Sequence, residues 1–286
     1  MRVTPPGGVA IITACLKRAG YTNIELFDAT WYPVDKEENF ARPDRDIERA
    51  KRQMFPEYKW ERDDLDPSFF MLEETDMYTA FRKKVIDFRP DVIISSIVED
   101  TYYLWNKFMD QVRDRKFINV VGGVFVTYYP QAFEGKCDYI CRGEGDEAIP
   151  ELMNLIEEGK DGHHLLNFHP NPMRPALNVN TLPSTDHEIF DKRSLYRPFQ
   201  GRIIKVATVE TQRGCPFRCK FCNSPSNARL YKEDTDSLFF RHRSVEHIEK
   251  EIQHLIKTID VEFLWIVTDT LLTTSKKKFD DFCDMY

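Results

Sequence analysis

Apolar positions recur at helical spacing from Gly8 to Gly20, where Val9, Ile11, Ile12, Cys15 and Leu16 fall on one face and Gly20 ends the run. Asn23 to Phe27 then alternates apolar and polar, which predicts a strand. Residues 31 to about 76 break the rhythm. They are charged, carry Pro33, Pro43, Pro56 and Pro67, and read as a solvated insertion with a short helix near Ile47 to Phe55.

Beyond the insertion the pattern becomes regular. A helix is predicted from Tyr78 to Phe88 on Ala80, Phe81, Val85 and Phe88, stopped before Pro90. A strand over 91–96, a helix over 102–114, a strand over 117–121 running into Gly122-Gly123, a strand over 138–141 and a helix over 146–158 follow. Strands alternating with helices at this spacing predict an α/β unit, a doubly wound parallel sheet with helices on both faces and right-handed crossovers. Residues 1–160 form this first unit. Residues 161–203, rich in Asn, Pro, His and Asp, read as a linker.

A second unit, 204–286, begins in the apolar strand predicted over 203–211. Ser244 is expected to cap a helix running to about Lys257, with Glu246 and Glu249 in its early turns. A strand over 262–267 and a helix over 276–286 complete it. Two β-α steps are too few to close a sheet or barrel, so the chain is expected to be cut short at its C-terminus. Strand-order logic places one more strand before Gly8, where only Arg2 to Thr4 is available, so the same expectation holds at the N-terminus.

Composition narrows the function. At roughly 150 residues per domain, 286 residues fit about two domains. With 42% hydrophobic and 30% charged residues the chain is of ordinary globular type, and 21 Phe supply bulk for cores. A net charge of −7 gives no basic face for nucleic acid or for an anionic membrane surface. No apolar run approaches a membrane span, and the first residues lack the apolar core of a signal peptide. Seven Cys, an odd number, argue against a disulfide framework and for a reducing, cytoplasmic setting.

Chemistry concentrates in Thr211-Gln-Arg-Gly-Cys-Pro-Phe-Arg-Cys-Lys-Phe-Cys-Asn-Ser-Pro225. Cys215, Cys219 and Cys222 stand at C-x3-C-x2-C on the loop leaving a strand. Thiolates favour zinc or iron–sulfur clusters. A structural zinc site needs four ligands, and no Cys or His follows Cys222 until His242. Three thiolates suit a 4Fe–4S cluster with one iron open to a small chelating ligand; zinc completed by a distant residue is the other reading. His163, His164 and His169 lie in the linker without a ligand pattern and read as surface residues.

This spacing, with Phe221 before the last Cys and a strand before the first, resembles the signature loop of the radical S-adenosylmethionine (SAM) superfamily. The wider string from Glu210 resembles its members that carry an N-terminal cobalamin-binding domain. The resemblance implies that Cys215, Cys219 and Cys222 hold the cluster, that SAM chelates the open iron, and that one electron cleaves SAM to a 5′-deoxyadenosyl radical. It implies a partial (β/α) barrel for the second unit, Phe221 near the adenine, and Asp269, in Val267-Thr268-Asp269-Thr270, at the second SAM element. Thr268 departs from the paired Asp common there, and Asp269 also reads as a plain strand-end turn residue.

In the first unit three loops follow strand ends, where open α/β sheets bind ligands. They are Ser95-Ser96 to Glu99, Gly122-Gly123-Val124, and Arg142-Gly143-Glu144-Gly145. They resemble the cobalamin-binding domain's loops, the first two flanking the nucleotide tail and the third closing the site. Pro5-Pro6-Gly7-Gly8 resembles its first loop. No His precedes His163, so this unit has no imidazole to offer the cobalt. The implied function is a cobalamin-dependent radical SAM enzyme, in a subgroup that often methylates unactivated carbon. Its implied partners are a small-molecule or peptide substrate and an electron donor such as flavodoxin or ferredoxin. A cobalamin-free radical SAM enzyme and a non-catalytic cobalamin- or metal-binding regulatory module are the alternatives.

Overall fold

The computed structural model describes residues 5–33, 65, 67–199 and 202–286. The predicted Ile47–Phe55 helix and the Arg2–Thr4 strand lie outside them. The first helix, α1, spans Gly7–Arg18. Helix α2 (Met77–Phe88) starts where the Asp76 carboxylate accepts from the Thr79 N–H at 2.8 Å, and ends at Arg89 in the left-handed region. Strands β1 (Val92–Ser96), β2 (Ile118–Gly122) and β3 (Tyr139–Ile140) form a parallel sheet in that order. Val92 lies opposite Ile118, and Val120 opposite Tyr139.

Alternation along β2 explains the two layers. Val120 packs on one face with Leu16, Ile149 and Leu152, from α1 and the helix Ala148–Glu157. Val121 packs on the other with Trp105, Val126 and Phe133, from α3 (Tyr102–Gln111), α4 (Val124–Tyr128) and the turn Pro130–Phe133. Full burial of residues such as Leu152 and Val120 is worth about 1.5–3 kcal/mol each. Both sheet faces are therefore covered, as the alternating pattern predicts.

Asn23 to Phe27 is not a strand. Its alternation is real, but no described strand lies alongside to pair with it, and a strand exists only by its ladder. The 161–203 segment is more than a connector. Leu165 and Phe168 join the first unit's core, Leu177, Val179 and Leu182 pack on α1, and Leu195 joins the second unit's core. The described part of the insertion is packed too. Trp31 is buried and its indole N–H donates to Ser194 Oγ at 3.0 Å, while Phe69 and Phe70 meet Tyr196 edge-on.

The second unit pairs β5 (Arg202–Glu210) in parallel with β8 (Phe263–Val267). β4 (Tyr196–Phe199) runs antiparallel on the other edge of β5, and β6 (Gln212–Arg213) pairs with β7 (Arg241–His242). The sequence pattern predicts neither β4 nor this hairpin. The helix Val245–Ile259 is capped by Ser244 Oγ, which accepts from the His247 N–H at 3.2 Å. It buries Ile248, Ile252 and Leu255 against Ala207 and Val209 of β5. A helix at Ser224–Thr235 follows the cysteine loop, and Lys276–Met285 ends the chain. Among the described residues no helix is long and apolar enough to cross a membrane.

Candidate functional site

The loops after β1, β2 and β3 converge with the ends of β5 and β8 on one open cleft of about 1360 Å³. From the first unit it is lined by the Pro5–Gly8 loop, Ser95, Ser96, Gly122, Gly123, Val124, Gly143, Glu144 and Gly145. From the second it is lined by Glu210, Arg213, Gly214, Asn223, Ser224, Thr268 and Asp269. The structure thus brings together most of the residues singled out in the sequence. It leaves six outside the lining: Cys215, Cys219 and Cys222, whose flanking residues Gly214 and Asn223 do line it, and Glu99, Arg142 and Phe221. Glu99 sits exposed on the turn Glu99–Thr101. Arg142 turns toward Asp234, 3.7 Å away. Phe221 is 94% exposed and does not line the cleft, because among the described residues no element packs over the middle of the cysteine loop.

Two of the glycines are required by close packing of the backbone. Gly123 has φ 107°, and a Cβ there would stand 2.7 Å from both the N and the O of Ile97. It lets β1's exit loop close on β2: the Ile97 N–H bonds Gly122 O at 2.8 Å, and the Phe125 N–H bonds Ile97 O at 3.3 Å. Gly143, at φ 71°, lies where a Cβ would meet the Tyr231 hydroxyl at 2.7 Å. Gly7 and Gly8, by contrast, have open space where a side chain would stand.

At the cleft floor the two units are joined by charge. Arg213, two residues before Cys215, donates from Nη1 to Glu144 Oε1 and Asp146 Oδ2, each at 2.9 Å, from Nη2 to Asp146 Oδ1 at 3.0 Å, and from Nε to Glu210 Oε2 at 2.9 Å. Arg241 grips the same Glu144 carboxylate with two bonds, at 2.7 and 2.9 Å. The Tyr231 hydroxyl accepts from the Glu144 N–H at 2.9 Å. Burial pushes the Glu144 carboxyl up, but hydrogen bonds from Arg241 and the two guanidinium charges outweigh it and hold it below the usual range. Arg213 is held well above its ordinary value by Asp146 and Glu210, against the penalty of burial. The sequence does not disclose this network: Arg213 and Glu144 are 69 residues apart, and their only signal is a charged residue inside each motif.

The cysteine loop differs. Cys219 and Cys222 are exposed and Cys215 half-buried. Among the described residues, no three His, Cys, Asp or Glu side chains gather at a common metal position. The fit to a cluster rests on the donor set: three soft thiols on one short loop, opening at Gly214 (φ 81°). Cys15, Cys137 and Cys141 differ in kind, since burial pushes each thiol up to about 12 and keeps it protonated. Ser224 ties the loop to the strand end at Asp269. Its N–H lies 3.4 Å from Cys222 Sγ, and its hydroxyl donates to Asp269 Oδ2 at 3.2 Å. Thr268 Oγ1, beside it, is buried without a partner. His163 pairs with Asp161 and His169 with Glu134, so neither faces the cleft.

Residues 49–153 match the B12 binding domain family. Across 98% of its length the chain is 22% identical to an anaerobic magnesium-protoporphyrin IX monomethyl ester cyclase of Rubrivivax gelatinosus, spanning 44% of that protein. Over 73% of its length it is 25% identical to an uncharacterized methyltransferase of Pyrococcus horikoshii, spanning 46% of it. The solved structure of the cobalamin-dependent SAM radical enzyme OxsB with aqua-cobalamin superposes with a TM-score of 0.54 at 21% identity, covering 73% of this chain and 30% of that one. The chain is thus similar in sequence to a B12 binding domain and in fold to a cobalamin-dependent SAM radical enzyme. It spans less than half the length of the curated relatives it matches. The B12 match contains β1, β2, β3 and the three loops that follow them.

Proposed function

We propose that the chain is the cobalamin-domain and cysteine-loop portion of a cobalamin-dependent radical SAM enzyme, transferring a methyl group to carbon of a small-molecule or peptide substrate. The carrying observation is that loops from both units line a single cleft, and that Gly214 and Asn223, which flank the three thiols, are part of that lining. Cys215, Cys219 and Cys222 would hold a 4Fe–4S cluster, and the Ser95-Ser96, Gly122–Val124 and Gly143–Gly145 loops the cobalamin. The bound cofactors supply reductive cleavage of SAM and a transferable methyl group. The chain's own residues position them. Asp269 and Thr268 offer polar atoms at the cleft edge beside Cys222, suited to the amino and hydroxyl groups of SAM. Glu144 and Asp146 are occupied by arginines and are not free to act as bases. An electron donor such as flavodoxin or ferredoxin would reach the exposed face of the loop at Phe221, in a cytoplasmic setting.

Anaerobic reconstitution tests this reading. It should give about four irons and four sulfides per chain, with charge-transfer absorption that SAM perturbs. A colourless chain holding a single zinc would overturn it.

A further inference from the structure

The loop that carries the cysteines is exposed in its middle and fixed at its ends, and at each end the first unit adds a tie to those the second unit makes through Glu210 and Asp269. Upstream, Arg213 is enclosed by Glu144 and Asp146. Downstream, the Tyr128 hydroxyl lies 2.9 Å from the carbonyl oxygen of Asn223, the residue after Cys222, and 2.7 Å from Asn227 Oδ1. Tyr128 ends the helix that begins at Val124, just past Gly123. Its phenolic O–H is the donor to these two oxygens. Glu144 belongs to the third cleft loop, and Gly123 and Val124 to the second. Each end of the cysteine loop is thus tied to a different loop of the cobalamin-type domain.

We propose that Tyr128 and Glu144 are positioning residues that clamp the cysteine loop from its two ends, so that the first unit sets the geometry of the metal-binding loop across the domain boundary. The inference rests on the reading of that loop as a cluster site. Neither residue is asked to touch the cluster. Arg213 holds the strand leading into Cys215, and the Asn223 carbonyl holds the turn leaving Cys222. Removing one tie leaves the thiols present and the second unit's contacts in place, but loosens one end of the loop.

The test compares Tyr128→Phe, Glu144→Gln and the surface control Arg82→Gln, whose partner Asp114 lies in the same unit away from the cleft. Each is reconstituted anaerobically, and the reduced cluster is followed by electron paramagnetic resonance as SAM is added. Tyr128→Phe should keep its iron and its melting temperature, change the cluster's g-values, and raise the SAM concentration for half-effect about three- to ten-fold, the size of one lost hydrogen bond. Glu144→Gln should lower iron content as well. Arg82→Gln should match the parent. A parent with a SAM-responsive cluster and a Tyr128→Phe variant with identical g-values and SAM dependence would overturn the clamp alone. A parent that forms no cluster would overturn both the clamp and the reading beneath it.

Discussion

Arg213 and Phe221 stand eight residues apart in one motif, yet the first is enclosed by three carboxylates and the second is 94% exposed. The flanks of the cysteine loop are built into the interface between the two units, whereas Phe221 at its centre is left exposed among the described residues. The enclosed part supplies rigidity: a planar guanidinium with its donors committed to Glu144, Asp146 and Glu210 has one arrangement. The exposed part supplies chemistry, since thiols that are to bind a metal cannot be buried like Cys15 or Cys141 without becoming hard to ionise.

The largest effect expected from this division is all-or-none. Changing Cys215, Cys219 or Cys222 to Ala should abolish bound iron, measured by iron and sulfide content. Cys15→Ala, in the buried class, and Cys283→Ala, outside the loop, should retain it. Iron retained by a Cys219 variant would break the distinction between exposed and buried thiols.

Next in size is the interface. Arg213→Ala strips the buried Asp146 of its guanidinium and leaves Glu144 with Arg241 alone, and should cost about 3–5 kcal/mol in unfolding free energy. Phe221→Ala should stay within about 0.5 kcal/mol. Equal costs would show that the motif's flank and centre are not different in kind.

The alternation of apolar runs made the first unit's strands and helices legible, because β2 buries Val120 on one side and Val121 on the other and each must be apolar. It misled at Asn23 to Phe27, where the pattern fits a strand but no described neighbour supplies the ladder. Composition misled at 161–203. Pro, Asn and His mark irregular backbone correctly, but Phe168, Leu177 and Leu182 within it are core residues. The cleft's membership was largely visible as three loops and a cysteine motif. Its joints were not, because Arg213–Glu144, Arg241–Glu144 and Tyr128–Asn223 join residues far apart in the chain.

A smaller effect sharpens the role of the second loop. Gly123→Ala should destabilise by about 1–3 kcal/mol, since a side chain there meets the Ile97 backbone in a left-handed conformation. A loss of cobalamin with unchanged stability would return Gly123 to ligand admission. The smallest effect is in pH. Glu144's carboxyl is lowered on folding, so its contribution is fully present above the ordinary glutamate value and is lost only as pH falls through the lower folded one. Acid unfolding of Glu144→Gln should therefore differ in pH dependence from the parent only below the usual glutamate range. A difference emerging above it would contradict the ion pairing.

That the cobalamin-type domain and the cysteine loop form one site is tested most directly by electron paramagnetic resonance of the chain loaded with both cob(II)alamin and a reduced cluster. Sharing the cleft, each paramagnet should broaden the other's signal relative to chains carrying only one. Two spectra that simply add, with neither line altered, would contradict a single site.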